Sequence, residues 1–235
     1  MTSAQDVIST LQSKARPDQL AGMKRYGMNV INRLGIAIPE LRKIARQIDG
    51  NHELAQDLWQ TGIAEARILA SMIASPTELS EAQIDAWAAD FDSWDVCDQV
   101  CMNLFEKSPL AWEKVVVWSS REEEFVRRAA YALLACLAWH DKKAPDGDFI
   151  RLIPVIRASE EDERKMVAKA VSWALRNIGK RNPHLHQVAM QTASEMLSSP
   201  SKSARWIGSD ALRDLHSEAT QRRLAKMQSK DIHLL

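Results

Sequence analysis

Apolar residues recur along most of this chain at the i, i+3, i+4, i+7 spacing of an amphipathic helix, and the stretch from Asp162 to Pro183 shows the pattern at its clearest. Val167, Ala170, Val171, Ala174, Leu175 and Ile178 share one face. Lys165, Lys169, Trp173, Arg176 and Lys180 recur every three or four residues and form a second stripe almost opposite the first. The same reading predicts helices over 3–14, 18–32, 39–49, 52–60, 63–74, 80–91, 94–107, 109–120, 122–140, 148–158, 163–180, 184–197, 203–215 and 218–228. Few strands, if any, are expected.

Helices joined by turns this short pack as antiparallel pairs, and successive pairs stack into a solenoid. Residues 124–134, 164–175 and 203–212 share a pattern of basic residue, small residues and a core Ala-Leu at intervals of about forty residues, the period of HEAT-type helical repeats. The polar faces of the other repeats extend the picture. In 203–215, Ala204, Ile207, Ala211 and Leu215 face the core, while Trp206, Asp210 and Arg213 lie on the far side. In 122–140, Phe125, Ala129, Leu133, Cys136 and Leu137 form the core face, and Arg128, Tyr131 and Ala135 are expected to look elsewhere.

Composition narrows the classes. The eight Gly and eight Pro are few for 235 residues, which favours helix, and no linker divides the halves, so a single domain of about six stacked helical pairs is expected. No apolar run reaches bilayer-spanning length, and the N-terminus lacks the basic start and apolar centre of a signal peptide, so the expectation is a cytoplasmic protein without a membrane partner. Cys97, Cys101 and Cys136 are odd in number and lie in apolar runs, which disfavours a disulfide framework. Neither the Cys97/Cys101 pair nor His184 and His186 has further ligands at matching spacing, so no metal is expected. Gly-rich phosphate loops and the GxSxG and HExxH motifs are absent. The 31 basic and 31 acidic residues cancel, but the acids gather in runs such as Glu122–Glu124 and Glu160–Glu163 near helix starts, which allows a neutral protein one positive face.

Two features suggest chemistry. A tryptophan flanked by cations on the polar side of a helix suits a ligand with flat apolar parts and negative charge, and a nucleic-acid strand has both; the competing reading is that Trp173 fills a groove between helices. Trp94 and Asp98 are one turn apart at the margin of an apolar arc made by Val96, Cys97, Val100, Cys101 and Leu104. A carboxylate beside an indole in a basic groove suits a reaction whose transition state is a sugar cation. Structural ion pairs made by Asp95 and Asp98 are the alternative.

The segments KRYGMNVINRLGIAIPELRKIAR (24–46), SWDVCD (93–98), EFVRRAA (124–130) and KAVSWALRNIGKRNP (169–183) together resemble the AlkD-type DNA alkylation repair family, the HEAT-like-repeat alkylpurine DNA glycosylases, in order and over nearly the whole chain. The resemblance implies an all-α, C-shaped superhelix whose concave basic groove holds duplex DNA. It also implies excision of cationic alkylated purines, N3-methyladenine and N7-methylguanine, by a monomer without metal or cofactor. Carried over by position, Asp98 is the catalytic carboxylate, Trp94 and Trp173 pack on the lesion's deoxyribose, Arg128 holds the backbone beside it, and Tyr26 lies on the DNA-facing side. Lys169, Arg176, Lys180, Arg181, Trp206 and Arg213 complete the expected DNA-binding set. The same family includes relatives that bind damaged or branched DNA without excision, and a protein-binding scaffold is a third reading of a helical solenoid.

Overall fold

A computed structural model describes residues 3–232, and every regular element among them is helical. In chain order these are α1 (Ala4–Ser13), a 3₁₀ turn (Pro17–Gln19), α2 (Leu20–Arg25), α3 (Ile38–Ala45), α4 (His52–Gln60), α5 (Ala64–Ile73), α6 (Glu81–Ala89), α7 (Trp94–Asn103), a second 3₁₀ turn (Phe105–Lys107), α8 (Ala111–Ser119), α9 (Glu124–His140), α10 (Asp146–Ile150), α11 (Ile153–Ala158), α12 (Lys165–Gly179), α13 (Pro183–Leu197), α14 (Lys202–Leu215) and α15 (Glu218–Ile232). Several starts carry the side chains that helix starts favour: Ser3, Asn51, Ser80, Asn182 and Ser201 each accept a backbone N–H from the first turn. The chain divides into two compact units, residues 1–111 and 112–235.

In the first unit α5 packs on α3, α4 and α7. Trp59 stacks on Trp87 at 4.0 Å between ring centres and meets Phe91 edge-on at 6.1 Å, while its indole N–H donates to Asp90 at 2.7 Å. The helix expected over 18–32 stops at Arg25, and residues 26–37 form an irregular loop. Two features, a buried acceptor and a glycine, explain why it holds without a ladder of its own. The buried Glu65 of α5 accepts the backbone N–H groups of Leu34, Gly35 and Ile36 at 2.9, 2.7 and 3.2 Å, replacing the partners a helix would supply. Gly35 sits at φ +82° so close to Arg16 that a Cβ would fall 2.2 Å from its carbonyl oxygen, so only glycine fits.

In the second unit α9 and α12 pack along each other and α14 packs on α12 and α13. Asn177 crosses from α12 to donate to the Ala135 carbonyl of α9 at 3.0 Å. Gly208 lets α14 lie against α13, where a Cβ would come within 2.4 Å of the Ala193 carbonyl. Helix α9 departs from the one-faced expectation: residues 128–138 are all buried, Arg128, Tyr131 and Ala135 included. Apart from Arg128 and Tyr131, this run is small or apolar all the way round the helix, so periodicity marks no solvent face. Tyr131 donates to the Val155 carbonyl at 3.2 Å, and burial pushes its phenol up to about 12 against a hydrogen bond with Ser159. The helix expected over 148–158 is broken between Ile150 and Ile153, just before Pro154.

The turn before α12 is tied from three sides. Asp162 accepts from Arg127 at 2.9 Å and from Arg164 at 2.9 and 2.6 Å, and its carbonyl accepts the Ser203 hydroxyl at 2.7 Å. Burial alone would raise the Asp162 carboxyl, but the hydrogen bonds from Arg164 and Arg127 prevail and hold it at about 2, below its ordinary 3.8. Because the folded value is the lower one, this stabilisation is complete above the unfolded value and disappears as pH falls through the folded one. Asp162→Asn should therefore lower stability at neutral pH by about 1 kcal/mol, a figure discounted for the solvent around the two guanidinium groups. Urea midpoints should converge with those of the parent as pH is lowered from about 4 toward 2.

Candidate nucleic-acid interface

In the first unit the 26–37 loop and the start of α7 form one bonded assembly. Arg33, 3% exposed at its side chain, makes a two-point contact with Asp95, Nη1 to Oδ2 at 2.6 Å and Nη2 to Oδ1 at 3.0 Å, and Nε donates to the Asn29 carbonyl at 2.6 Å. Ser93 donates to Asp95 at 2.5 Å and accepts the Asn29 backbone N–H at 3.1 Å. One residue on, the Trp94 indole N–H donates to the Tyr26 carbonyl at 3.1 Å. The loop therefore fixes the ring of Trp94, and Tyr26, 75% exposed, stands at the same place. Asp98 follows one turn later on α7; both it and Trp94 are half-buried. For Asp95 the structural ion pair read as the alternative is what forms, which removes it from the list of reacting groups.

In the second unit the stripe on α12 divides into two parts. At its C-terminal end Arg176 faces Asp210 and Asp214 of α14 at 3.7 and 3.9 Å, Lys180 pairs with Asp214, and Arg213 pairs with Asp210, which also accepts the Ser172 hydroxyl at 2.7 Å. Arg176, Lys180 and Arg213, expected as phosphate contacts, thus serve an ion-pair network that joins the two helices. At the N-terminal end Lys165 and Lys169 are exposed and make no ion pair or hydrogen bond among the described residues. Trp173 is half-buried between the two parts, and its indole N–H has no hydrogen-bond partner among the described residues. Trp206 is 44% exposed.

Two further expected contacts have other surroundings. Arg181 donates from Nη1 to the carbonyls of Ala138 and Asp141 at 2.9 and 2.8 Å and from Nη2 to that of Ala144 at 3.0 Å, with its guanidinium 4.2 Å above the centre of the Phe149 ring. It closes the end of α9 instead of facing solvent. Arg128 is buried, with Nη1 on the Met166 carbonyl at 2.5 Å, so it presents no open guanidinium to a ligand. Sequence reasoning missed Arg33, Ser93 and Lys202. The i, i+4 spacing of Asp210 and Asp214, matching that of Arg176 and Lys180 on the neighbouring repeat, was the available signal for the network.

Cys97, Cys101 and Cys136 are buried and none of them forms a disulfide, and among the described residues no three His, Cys, Asp or Glu side chains gather as a metal site. His184 lies on Asp146 at 2.8 Å, and His186 meets the Gly179 carbonyl at 3.1 Å. No helix among the described residues is long and apolar enough to cross a membrane.

Among solved structures, the chain is similar to a member of a family described as related to the HEAT-like repeat DNA glycosylases, with affinity for branched DNA structures. The TM-score is 0.74 at 20% identity, over 83% of each chain, so the two share a fold. A designed armadillo repeat protein in complex with a (KR)4 peptide matches at 18% identity over 79% of each chain, with a TM-score of only 0.36. No curated protein matches the sequence. Residues 7–225 match the family model described as DNA alkylation repair enzyme, and the protein belongs to that family.

Proposed function

We propose that the protein is a DNA glycosylase that hydrolyses the N-glycosidic bond of cationic alkylated purines, N3-methyladenine and N7-methylguanine, in duplex DNA. The observation that carries this reading is the Trp94 indole held on the Tyr26 carbonyl beside the Arg33–Asp95 bridge, with Asp98 one turn further along α7. An indole whose ring is fixed gives a sugar a flat apolar surface, and a carboxylate one turn away opposes positive charge as the glycosidic bond lengthens. A purine alkylated at N3 or N7 already carries the charge of a good leaving group, so stabilising the deoxyribosyl cation is sufficient and no general acid is needed. Trp173, a half-buried indole next to Lys169, is proposed for the same sugar-facing role, with Lys169 and Lys165 as phosphate contacts.

Single-turnover release of N7-methylguanine from a labelled duplex tests the proposal, with a uracil-containing duplex as control. Release of the alkylpurine with no release of uracil is expected, because a neutral base leaves as an anion unless an acid protonates it. Efficient uracil excision would sink the mechanism. A second reading is favoured by the ion-paired state of Arg176 and Lys180 and by the branched-DNA affinity described for the structural relative. In that reading the protein binds damaged or branched DNA without cleaving it, and tight binding with no release of any alkylpurine would establish it.

A further inference from the structure

The second unit holds a cleft of about 380 Å³ between the first turns of α12 and α14. Its lining includes Lys165 and Lys169 from α12, Lys202 and Trp206 from α14, the buried Ala168, and Glu163. Each helix contributes two of these residues four positions apart, so the cations and the indole stack on facing turns. Lys202, like Lys165 and Lys169, is exposed and makes no ion pair or hydrogen bond among the described residues. Three such cations against one carboxylate, within two turns of a network where every cation is paired, mark a place that takes negative charge from outside the protein.

We propose that this cleft is a subsite for one unpaired nucleotide of a DNA strand, its base on the Trp206 indole and its flanking phosphates on Lys165, Lys169 and Lys202. The inference rests on the DNA-binding reading above and extends it from duplex to duplex with a single-stranded end or branch. Size argues for it: the volume lies at the lower end of the roughly 300–1,000 Å³ typical of ligand clefts, room for one nucleotide and not for a helix. Chemistry argues for it too. A half-exposed indole offers a stacking face that a paired base, already stacked in its duplex, does not need, whereas a splayed base does. Lysines match phosphates as point charges, and the acceptor-only Glu163 suits the exocyclic amine of a base.

The test compares a blunt duplex with the same duplex carrying a short single-stranded overhang, at either end, that contains 2-aminopurine. The overhang substrate should bind about tenfold more tightly, the gain expected for one stacked base, and 2-aminopurine fluorescence should be quenched on binding. Trp206→Ala should abolish the quenching, and Lys202→Gln should bring the ratio of the two affinities close to one. Unchanged thermal melting of both variants keeps the comparison one of binding. Equal affinity of the parent for both substrates, or a ratio that survives both substitutions, overturns the proposal. So does competition by a free mononucleotide or inorganic phosphate as effective as that by overhang DNA, which would make the cleft a small-anion site. If blunt duplex binds and the overhang adds nothing, this inference alone fails; if neither binds, the DNA-binding reading fails with it.

Discussion

An Asp98→Asn protein is expected to release N7-methylguanine at least about 100-fold more slowly than the parent under single-turnover conditions. The amide keeps the shape of the side chain and its capacity to accept a hydrogen bond, so what is lost is the negative charge. In the proposed mechanism that charge acts while the sugar becomes cationic, which places the loss of rate on the chemical step. Binding of duplex DNA should be unchanged or tighter, since one source of repulsion toward phosphates is gone. Equal rates for variant and parent would remove Asp98 from the mechanism. The next candidates would be Asp95, which pairs with Arg33, and Asp210, which meets Ser172 and two arginines.

The second large effect belongs to Arg33. Removing one partner of a buried ion pair leaves the other charge desolvated and unopposed, a loss of about 3–5 kcal/mol, so Arg33→Ala should shift the urea midpoint of the first unit by a large part of its stability. The side chains of Arg33 and Asp95 are only 3% and 12% exposed, so solvent does little to soften the loss. Pairing the change with Asp95→Leu should recover much of it, because two apolar groups leave no orphaned charge. A double variant as unstable as the single one would mean that the hydrogen bonds from Arg33 to the loop, and not the pair with Asp95, hold this region. In either variant the anchor of Trp94 on Tyr26 is weakened, so excision should fall even where the protein remains folded.

Most of the helices were legible in the sequence because each buries one apolar stripe, and the caps, prolines and charge runs marked many of their ends. The 26–37 loop was not legible. Its hydrophobic spacing continues the preceding helix, and what breaks it is a carboxylate 31 residues downstream of Leu34 together with a glycine required by a neighbouring carbonyl, neither of which local periodicity registers. Pattern and resemblance single out Trp94, Asp98 and Trp173, and the fold adds the anchor of Trp94 on Tyr26. The states of the arginines were not legible in that way, since whether a guanidinium is open or closed depends on which acid or carbonyl the next repeat brings to it. Arg181 and Arg128 look like phosphate contacts along the chain and are held by backbone carbonyls in the fold.

The division of the α12 stripe into paired and unpaired cations bears on how the protein responds to ionic strength. A cation that already sits on a carboxylate has few condensed ions to release from DNA; to reach a phosphate, Arg176 or Lys180 must first leave Asp214, and the acid left behind then repels the same strand. If Lys165 and Lys169 meet phosphates as proposed, they trade solvent ions in full, and each should contribute about 0.9 to the slope of log affinity against log salt. The number of basic residues in this chain therefore overstates its electrostatic grip. On the glycosylase reading proposed above, a protein built this way would hold undamaged duplex weakly and leave it readily, and its discrimination would fall to the anchored Trp94, to Trp173 and to Asp98.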